Sequence, residues 1–296
     1  MRPLVLAAAV LPLVAAAQQP AKPDKTGWIL MLESLGHGAA DVTHSALGGT
    51  YERSATGLEA IHEGPDHALD IEYYEFRNRF TGPIAADTDR TYGDVADLRI
   101  SGFAQWPGAS AHGHYQLIGG IECAPETPLT LGEAFRWGLG GAYRWTPGAE
   151  FDVALGLQVV SRYEKSVLPI PYVRAFWRPD PAVSVEFRVT GLQNGFFGKW
   201  YVTADKATSV DLACAYETHS FLLTDGSYGA RGLGIGEVPI RLGVTQFLES
   251  SGTWFVRAGF EWVSFHRETY THAGITEGVF ESADAPGWSL RIGGRF

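Results

Sequence analysis

Arginines and carboxylates at alternate positions of several segments are the side chains of this sequence best suited to chemistry. In 135–145, Arg136 and Arg144 share one parity, whereas Phe135 and Trp137 share the other. A guanidinium binds a carboxylate or another oxyanion through two parallel hydrogen bonds. Such a set could cross-link an interior or could bind and pass anions, and the sequence leaves both alternatives open. The candidate lumen-lining residues are Arg99, Arg136, Arg144, Arg174, Arg188, Arg241, Arg257, Arg291, Asp97, Asp152, Glu186, Asp211 and Glu261, with no lysine among them.

Groups that could act as a nucleophile, a base or a metal ligand are few. His219 and Ser220 are adjacent in a strand-like run, so their side chains point to opposite faces and cannot form a dyad. His112 and His114 could present two imidazoles to a metal, but no nearby cysteine or carboxylate completes the set. The glycine-rich segment 232–236 is not followed by a helical pattern, as a phosphate-binding loop would be. We expect no catalytic residue, metal or cofactor, and a lipid-modifying enzyme is the weakest alternative.

The elements that position the charged residues are strands. Apolar residues recur with period two in 135–145, 151–159, 183–189 and 254–262. From residue 67 onward we count twelve strands, and 27–36 and 45–54 would raise the number to fourteen. Single-chain bacterial barrels have an even number of strands, so both counts are admissible, and fourteen is favoured over twelve.

Short and long connections alternate along the chain. Short turns contain Pro, Gly or Asp, as at 146–148 and 178–181. The longer stretches between them are 80–94, 124–133, 164–170, 191–197, 223–236 and 267–285. Membrane barrels have short periplasmic turns and longer outer loops in this alternation. The sequence therefore predicts an all-β protein, a transmembrane antiparallel up-and-down β-barrel formed by 18–296; the competing fold is a periplasmic β-sandwich.

The N-terminus has the pattern of an export signal. Arg2 is followed by an apolar run over 4–14 and by three alanines at 15–17, which predicts a signal peptide over 1–17. The formal net charge of the chain is −10, which argues against a nucleic-acid partner. We expect the mature chain to lie in the outer membrane of a Gram-negative-type bacterium, in contact with membrane lipid.

The last strand carries the clearest resemblance. Trp288, Leu290, Ile292 and Phe296 form a Trp-x-Leu-x-Ile-x-x-x-Phe pattern that is similar to the signal by which the barrel-assembly machinery recognises bacterial outer-membrane proteins. The segments 139–143, 168–171 and 175–179 resemble those of an uncharacterised outer-membrane barrel family, a domain of unknown function. These resemblances imply the fold, the location and the assembly machinery as a partner. They carry no catalytic residues.

Tryptophans cluster beside the short turns. Trp106, Trp145 and Trp177 precede Pro-containing turns, and Trp254 follows another turn, which predicts an aromatic girdle at the periplasmic interface. Two functions remain open for such a barrel. The first is a narrow channel or transport barrel for small solutes. The second is a closed barrel that serves as a surface binding or structural scaffold through acidic outer loops.

Overall fold

The computed structural model describes residues 27–43, 48–86, 91–127, 134–163, 165–190, 193–224, 231–248, 253–272 and 275–296. The predicted signal peptide, 1–17, lies outside the described residues. One 3-10 helix, Pro83–Ala86, follows the third strand. Within the described ranges we find no helix with the length and hydropathy needed to cross a membrane.

Fifteen strand segments form one antiparallel sheet that closes on itself, because the first segment pairs with the last. They are β1 (Gly27–Asp41), β2 (Thr50–Glu63), β3 (His67–Thr81), β4 (Val95–Pro107), β5 (Gly113–Cys123), β6 (Phe135–Gly148), β7 (Phe151–Arg162), β8 (Lys165–Asp180), β9 (Val183–Val189), β10 (Gln193–Tyr201), β11 (Thr208–Leu223), β12 (Arg231–Phe247), β13 (Trp254–His272), β14 (Ile275–Ser282) and β15 (Ala285–Arg295).

The closed wall has fourteen strand positions. β13 pairs with β15 between Trp254 and Val263, and with β14 between His266 and His272. β14 and β15 are therefore successive segments of one wall strand, interrupted at residues 283–284. The predicted up-and-down barrel and the preferred count of fourteen are confirmed, and the alternative of twelve is wrong. Residues 27–41 and 50–63 complete the wall.

The outward face of the barrel is apolar. The exposed side chains on it include Leu30, Leu32, Leu58, Leu139, Leu155, Leu157, Leu212, Leu242 and Leu290, each between 43% and 59% exposed. Soluble monomers rarely expose so large a continuous apolar surface, whereas a membrane barrel places this surface against lipid. The interior instead contains most of the charged residues. This inside-out distribution excludes the β-sandwich, in which the apolar face would be buried between two sheets.

Several predicted outer loops are strands. Among the described residues of these stretches, 165–170 belongs to β8, 193–197 to β10, 231–236 to β12, 267–272 to β13 and 275–282 to β14. At this end the outward face also carries charges, as in the cross-strand pair Arg267–Glu281, whose nitrogen and oxygen are 3.7 Å apart. The period-two pattern therefore disappears although the backbone pairing continues. We call this end, where β1 ends and β2 begins, the loop end, and the opposite end, which holds Gly27 and Phe296, the turn end.

Candidate functional site: the barrel interior

The structure places every predicted lumen residue inside the barrel and in an ion pair. Some pairs join neighbouring strands: Arg174 Nε lies 2.6 Å from Glu186 Oε1, and Arg144 contacts Asp152. Others lie within one strand, such as Arg188 with Glu186 at 2.6 Å. The remaining predicted members pair as Arg99–Asp97, Arg136–Glu122, Arg241–Glu261, Arg257–Asp211 and Arg291–Glu33. Antiparallel strands in register position these groups, because alternate residues of each strand face inward.

One basic residue was missed on this wall. Lys199 of β10 is 8% exposed and lies opposite Asp211 in the β10–β11 register, and the candidate list contained no lysine. The alternation around it is weak, since Gly198 occupies an outward position where the pattern calls for a large apolar residue. A clear apolar neighbour on each side would have revealed its orientation.

Arg241 is the centre of a three-strand bridge. Its guanidinium contacts Glu217 of β11 through two nitrogens, one of them Nη2 at 2.8 Å from Oε2, and Glu261 of β13 through Nε. His37 of β1 adds a contact from Nε2 to Glu261 Oε1 of 2.8 Å. A planar guanidinium suits this role, because its donors can satisfy two carboxylates at once.

A second group of polar residues lies closer to the loop end. Arg53 Nη2 donates to both carboxylate oxygens of Glu237, at 2.8 and 2.9 Å. His266 connects Glu237 (3.3 Å) to Glu268 (3.1 Å), and Tyr92 donates to Glu268 at 2.8 Å. None of these five was among the candidates from the sequence. Arg53 was missed because the expected strand, 45–54, covers only the first residues of β2, which runs from Thr50 to Glu63. Tyr92 and Glu268 lie in stretches expected to be loops, 80–94 and 267–285, and Glu237 and His266 directly border such stretches.

An apolar mouth cluster closes the loop end above this network. Its members are Val42, Tyr51, Ala55, Phe76, Ile84, Tyr92, Val95, Ala124, Phe221, Leu223, Leu233, Ile235, Tyr270 and Phe280. Ile84, Ala124, Leu223 and Phe280 have no exposed surface. A water-filled pore through this level would leave exposed surface on such inward-facing side chains. The described part of the mouth is therefore dry.

Backbone hydrogen bonds cross the mouth. Leu222 N donates to Ala124 O, and Glu126 N donates to Leu222 O, both at 2.8 Å. The strands concerned, β5 and β11, lie six positions apart in the wall. The segment after β5 thus folds inward and pairs with the far side of the barrel, where it covers the interior.

A polar cavity of about 220 Å³ lies below the mouth cluster. Six arginines line it, namely Arg53, Arg99, Arg188, Arg241, Arg257 and Arg291, and six glutamates balance them, namely Glu33, Glu59, Glu72, Glu217, Glu237 and Glu261. Some arginines toward the turn end keep exposed surface: Arg144 is 29% exposed, whereas Arg136, near the loop end, is 1% exposed. Solvent therefore reaches the interior from the turn end.

The other sequence candidates are separate from the cavity, except for one histidine. His219 faces the cavity and lies 3.2 Å from Arg99 Nη2, and no hydrogen bond joins it to Ser220 in the described structure.

Trp106, Trp145, Trp177 and Trp254 lie at the turn end of their strands and are 43–53% exposed. Trp28 and Trp200 occupy equivalent positions. The placement of these tryptophans at the level of the lipid headgroups, as an aromatic girdle, stays a prediction. The fold is a closed, fourteen-stranded antiparallel β-barrel with an apolar outward face.

No protein-family model matches the chain, and no curated protein sequence matches it. Solved structures match over almost the whole length at low identity. An outer membrane channel from Pseudomonas putida F1 is 12% identical, with 95% of this chain and 100% of that chain covered and a TM-score of 0.44. The TodX monoaromatic hydrocarbon channel deltaS2 mutant is 7% identical, with 93% and 91% covered and a TM-score of 0.44. The translocator domain of the autotransporter NalP from Neisseria meningitidis is 10% identical, with 93% and 90% covered and a TM-score of 0.36.

Proposed function

We propose that the protein is a gated outer-membrane barrel, a narrow conduit for small polar solutes that is closed at its loop end in this conformation. One observation carries the proposal: a polar, guanidinium-lined cavity lies directly below an apolar closure that is built partly from connecting segments. Val42, Ile84, Tyr92 and Ala124 belong to the mouth cluster but lie outside the strands. Connecting segments move more easily than a hydrogen-bonded wall, so their displacement would open the mouth.

The size and charge of the cavity limit the solute. Its volume, about 220 Å³, is below the roughly 300–1,000 Å³ of pockets that hold drug-sized ligands. Arginines and glutamates balance on its lining, so one sign of charge does not dominate. We expect a small polar solute and little discrimination between the cation and the anion of a simple salt.

Conductance in a planar bilayer tests the proposal. The informative variant is Ile84→Asp, because a carboxylate cannot remain in a fully buried apolar position without a large desolvation cost. The matched control is Ile275→Asp, the same change at a 69% exposed position near the loop end. We expect rare, small steps from the wild type and the control, and larger, more frequent steps from Ile84→Asp. A salt gradient should give a reversal potential near zero.

The closed scaffold is the second candidate, and cross-lumen contacts such as Arg53–Glu237 favour it. The same experiment separates the two functions. If Ile84→Asp folds, as judged by heat-modifiable gel mobility, and conducts no more than the wild type, the interior is closed independently of the loops. The conduit is then wrong and the scaffold is supported. A lipase assay on the refolded protein tests the weakest alternative, a lipid-modifying enzyme.

We also propose the location and its orientation. The apolar outward face and the short turns support insertion in the outer membrane with the turn end toward the periplasm. The predicted signal peptide over 1–17 and the predicted contact with the barrel-assembly machinery belong to this proposal. Separation of the outer and inner membranes on a sucrose gradient tests it, and recovery in the inner-membrane or soluble fraction would contradict it.

A further inference from the structure

Three carboxylates converge on the inner wall between β2 and β3. Glu59 and Glu72 are directly opposed in the β2–β3 register, and Asp70 precedes Glu72 by two residues on the same inward face. One oxygen from each lies within 4.8 Å of the others. Like charges at directly opposed positions of an antiparallel pair repel each other. The arrangement therefore needs a compensating positive charge.

The neighbouring guanidiniums are already engaged. Arg291 lies 3.5 Å from Glu59 but bonds Glu33 more closely, at 2.6 Å. Arg99 lies 3.8 Å from Glu72 but holds Asp97 at 2.5 Å. In the sector around the cluster, close contacts link three arginines with six carboxylates: Arg99, Arg136 and Arg291 with Glu33, Glu59, Asp70, Glu72, Asp97 and Glu122. This sector therefore carries a negative excess.

Asp70 supplies an independent indication of a missing ligand. It is 4% exposed, and in the described structure neither of its carboxylate oxygens has a hydrogen-bond donor. A buried, ionised carboxylate without a donor is strongly unfavourable. Its oxygens lie close to those of Glu59 and Glu72, so a single cation could contact all three.

We propose that Glu59, Asp70 and Glu72 bind a calcium ion on the lumen wall. Calcium takes oxygen ligands at about 2.3–2.6 Å, so two of its ligands can be up to about 5 Å apart, which agrees with the observed spacing. The cluster contains no imidazole or thiolate, the ligands that zinc usually recruits. Glu59 and Glu72 line the cavity, which gives the ion a route from the lumen. The proposal goes beyond conduction and does not depend on it.

The test is calcium titration of the refolded, chelator-treated barrel in detergent, by calorimetry and by thermal unfolding. The variants are Asp70→Asn and Glu72→Gln, which remove charge with little change of shape. The control is Glu75→Gln, because Glu75 lies on β3 with its side chain on the outer face, hydrogen-bonded to Tyr73. We expect saturable one-to-one binding and a higher melting temperature with calcium for the wild type and the control. Each site variant should lose at least about tenfold in calcium affinity, because mutation of residues that only hydrogen-bond to metal ligands already causes a loss of this size.

The apo proteins give a second readout. Without calcium, Asp70→Asn should melt no lower than the wild type, because it removes repulsion rather than a bond. A wild type that neither binds calcium nor responds to it, and that becomes more stable as the pH falls, would show that the carboxylates share a proton, and the site would be wrong. Equal stabilisation by magnesium, or full calcium binding by both site variants, would also overturn the proposal.

Discussion

Arg53 and Glu237 form an ion pair between strands that are not neighbours. The guanidinium is on β2 and the carboxylate on β12, and β1, β15 and β13 lie between these strands in the wall. Their side chains are 4% and 1% exposed. The pair therefore holds one sector of the barrel together from the inside, in addition to the hydrogen bonds that run along the wall.

We expect Arg53→Met to destabilise the barrel by about 3–5 kcal/mol, because it leaves Glu237 buried without its guanidinium. Arg53→Met combined with Glu237→Gln should recover part of this loss, since the buried charge is then removed as well. Urea unfolding followed by tryptophan fluorescence measures both. Arg77→Met, the same change at an exposed position on β3, should have little effect. A double variant less stable than Arg53→Met would contradict this account.

Gly57 makes room for Tyr74. The two residues are opposed in the β2–β3 register, and a Cβ atom at Gly57 would lie 2.3 Å from Cδ1 of the Tyr74 ring. The ring lies in this position with its hydroxyl donating to Glu33 at 2.6 Å. The small residue therefore sets the position of an aromatic ring that lines the cavity.

We expect Gly57→Ala to lower the free energy of unfolding by roughly 1–3 kcal/mol, the usual cost of overpacking. Tyr74→Phe, which removes only the hydroxyl, should cost about 1 kcal/mol. Gly119→Ala is the matched control, because its nearest neighbour would be Leu139 Cδ1 at an ordinary 3.6 Å. Equal losses from the two glycine variants would mean that backbone freedom, and not the ring, explains the effect.

Glu126 fastens the inward-folded segments. Its Oε1 accepts a hydrogen bond from Gly93 N at 2.6 Å, and its Oε2 accepts two from Thr224, from N and Oγ1, each at 2.7 Å. Glu126→Gln keeps the shape but replaces one accepting oxygen with an amide that donates. Hydrogen bonds to charged groups contribute about 1.5–3 kcal/mol each, so the mouth should loosen. Amide exchange should accelerate at 91–94 and 222–224 and stay unchanged in β7, and Glu52→Gln should change neither. Acceleration throughout the barrel would contradict a local role.

The parts of the site that the sequence predicts are those with a local signal. Arg136, Arg144 and Asp152 lie on strands whose outward residues are large and apolar, so their inward orientation follows from parity alone. The partners were harder to identify, because pairing depends on register. In the β6–β7 register Arg144 opposes Ala154, and its carboxylate partner, Asp152, is two residues away.

The closure of the mouth has no such signal. Contacts such as Arg53–Glu237 and Leu222–Ala124 join strands that are far apart around the wall, and no periodicity specifies which of them face each other. Near the loop end the outward face need not be apolar, so strand and loop look alike in sequence. The mouth cluster contains four residues from connecting segments, which a count of strand parities does not assign to the interior.

Phe296 closes the seam of the barrel. Its backbone N donates to Trp28 O at 2.8 Å, its O accepts from Trp28 N at 3.0 Å, and its ring meets Trp254 edge-on with centroids 5.5 Å apart. Deletion of Phe296 removes this last pair, and we expect a clear fall in the heat-modifiable, membrane-inserted fraction in cells.

Two substitutions distinguish the loss of the assembly signal from the loss of the backbone pair that closes the barrel. Phe296→Ala keeps the backbone pair but removes the ring, so a defect similar to the deletion would favour recognition by the assembly machinery, as the Trp288 to Phe296 pattern predicts. The control is Phe135→Ala, a comparably exposed phenylalanine at the loop end, which should insert normally. If the deletion variant inserts as well as the wild type, the predicted assembly signal is wrong. The β1–β15 ladder, which runs from the pair Ile29–Arg295 to the pair His37–Gly287, is then sufficient to close the barrel.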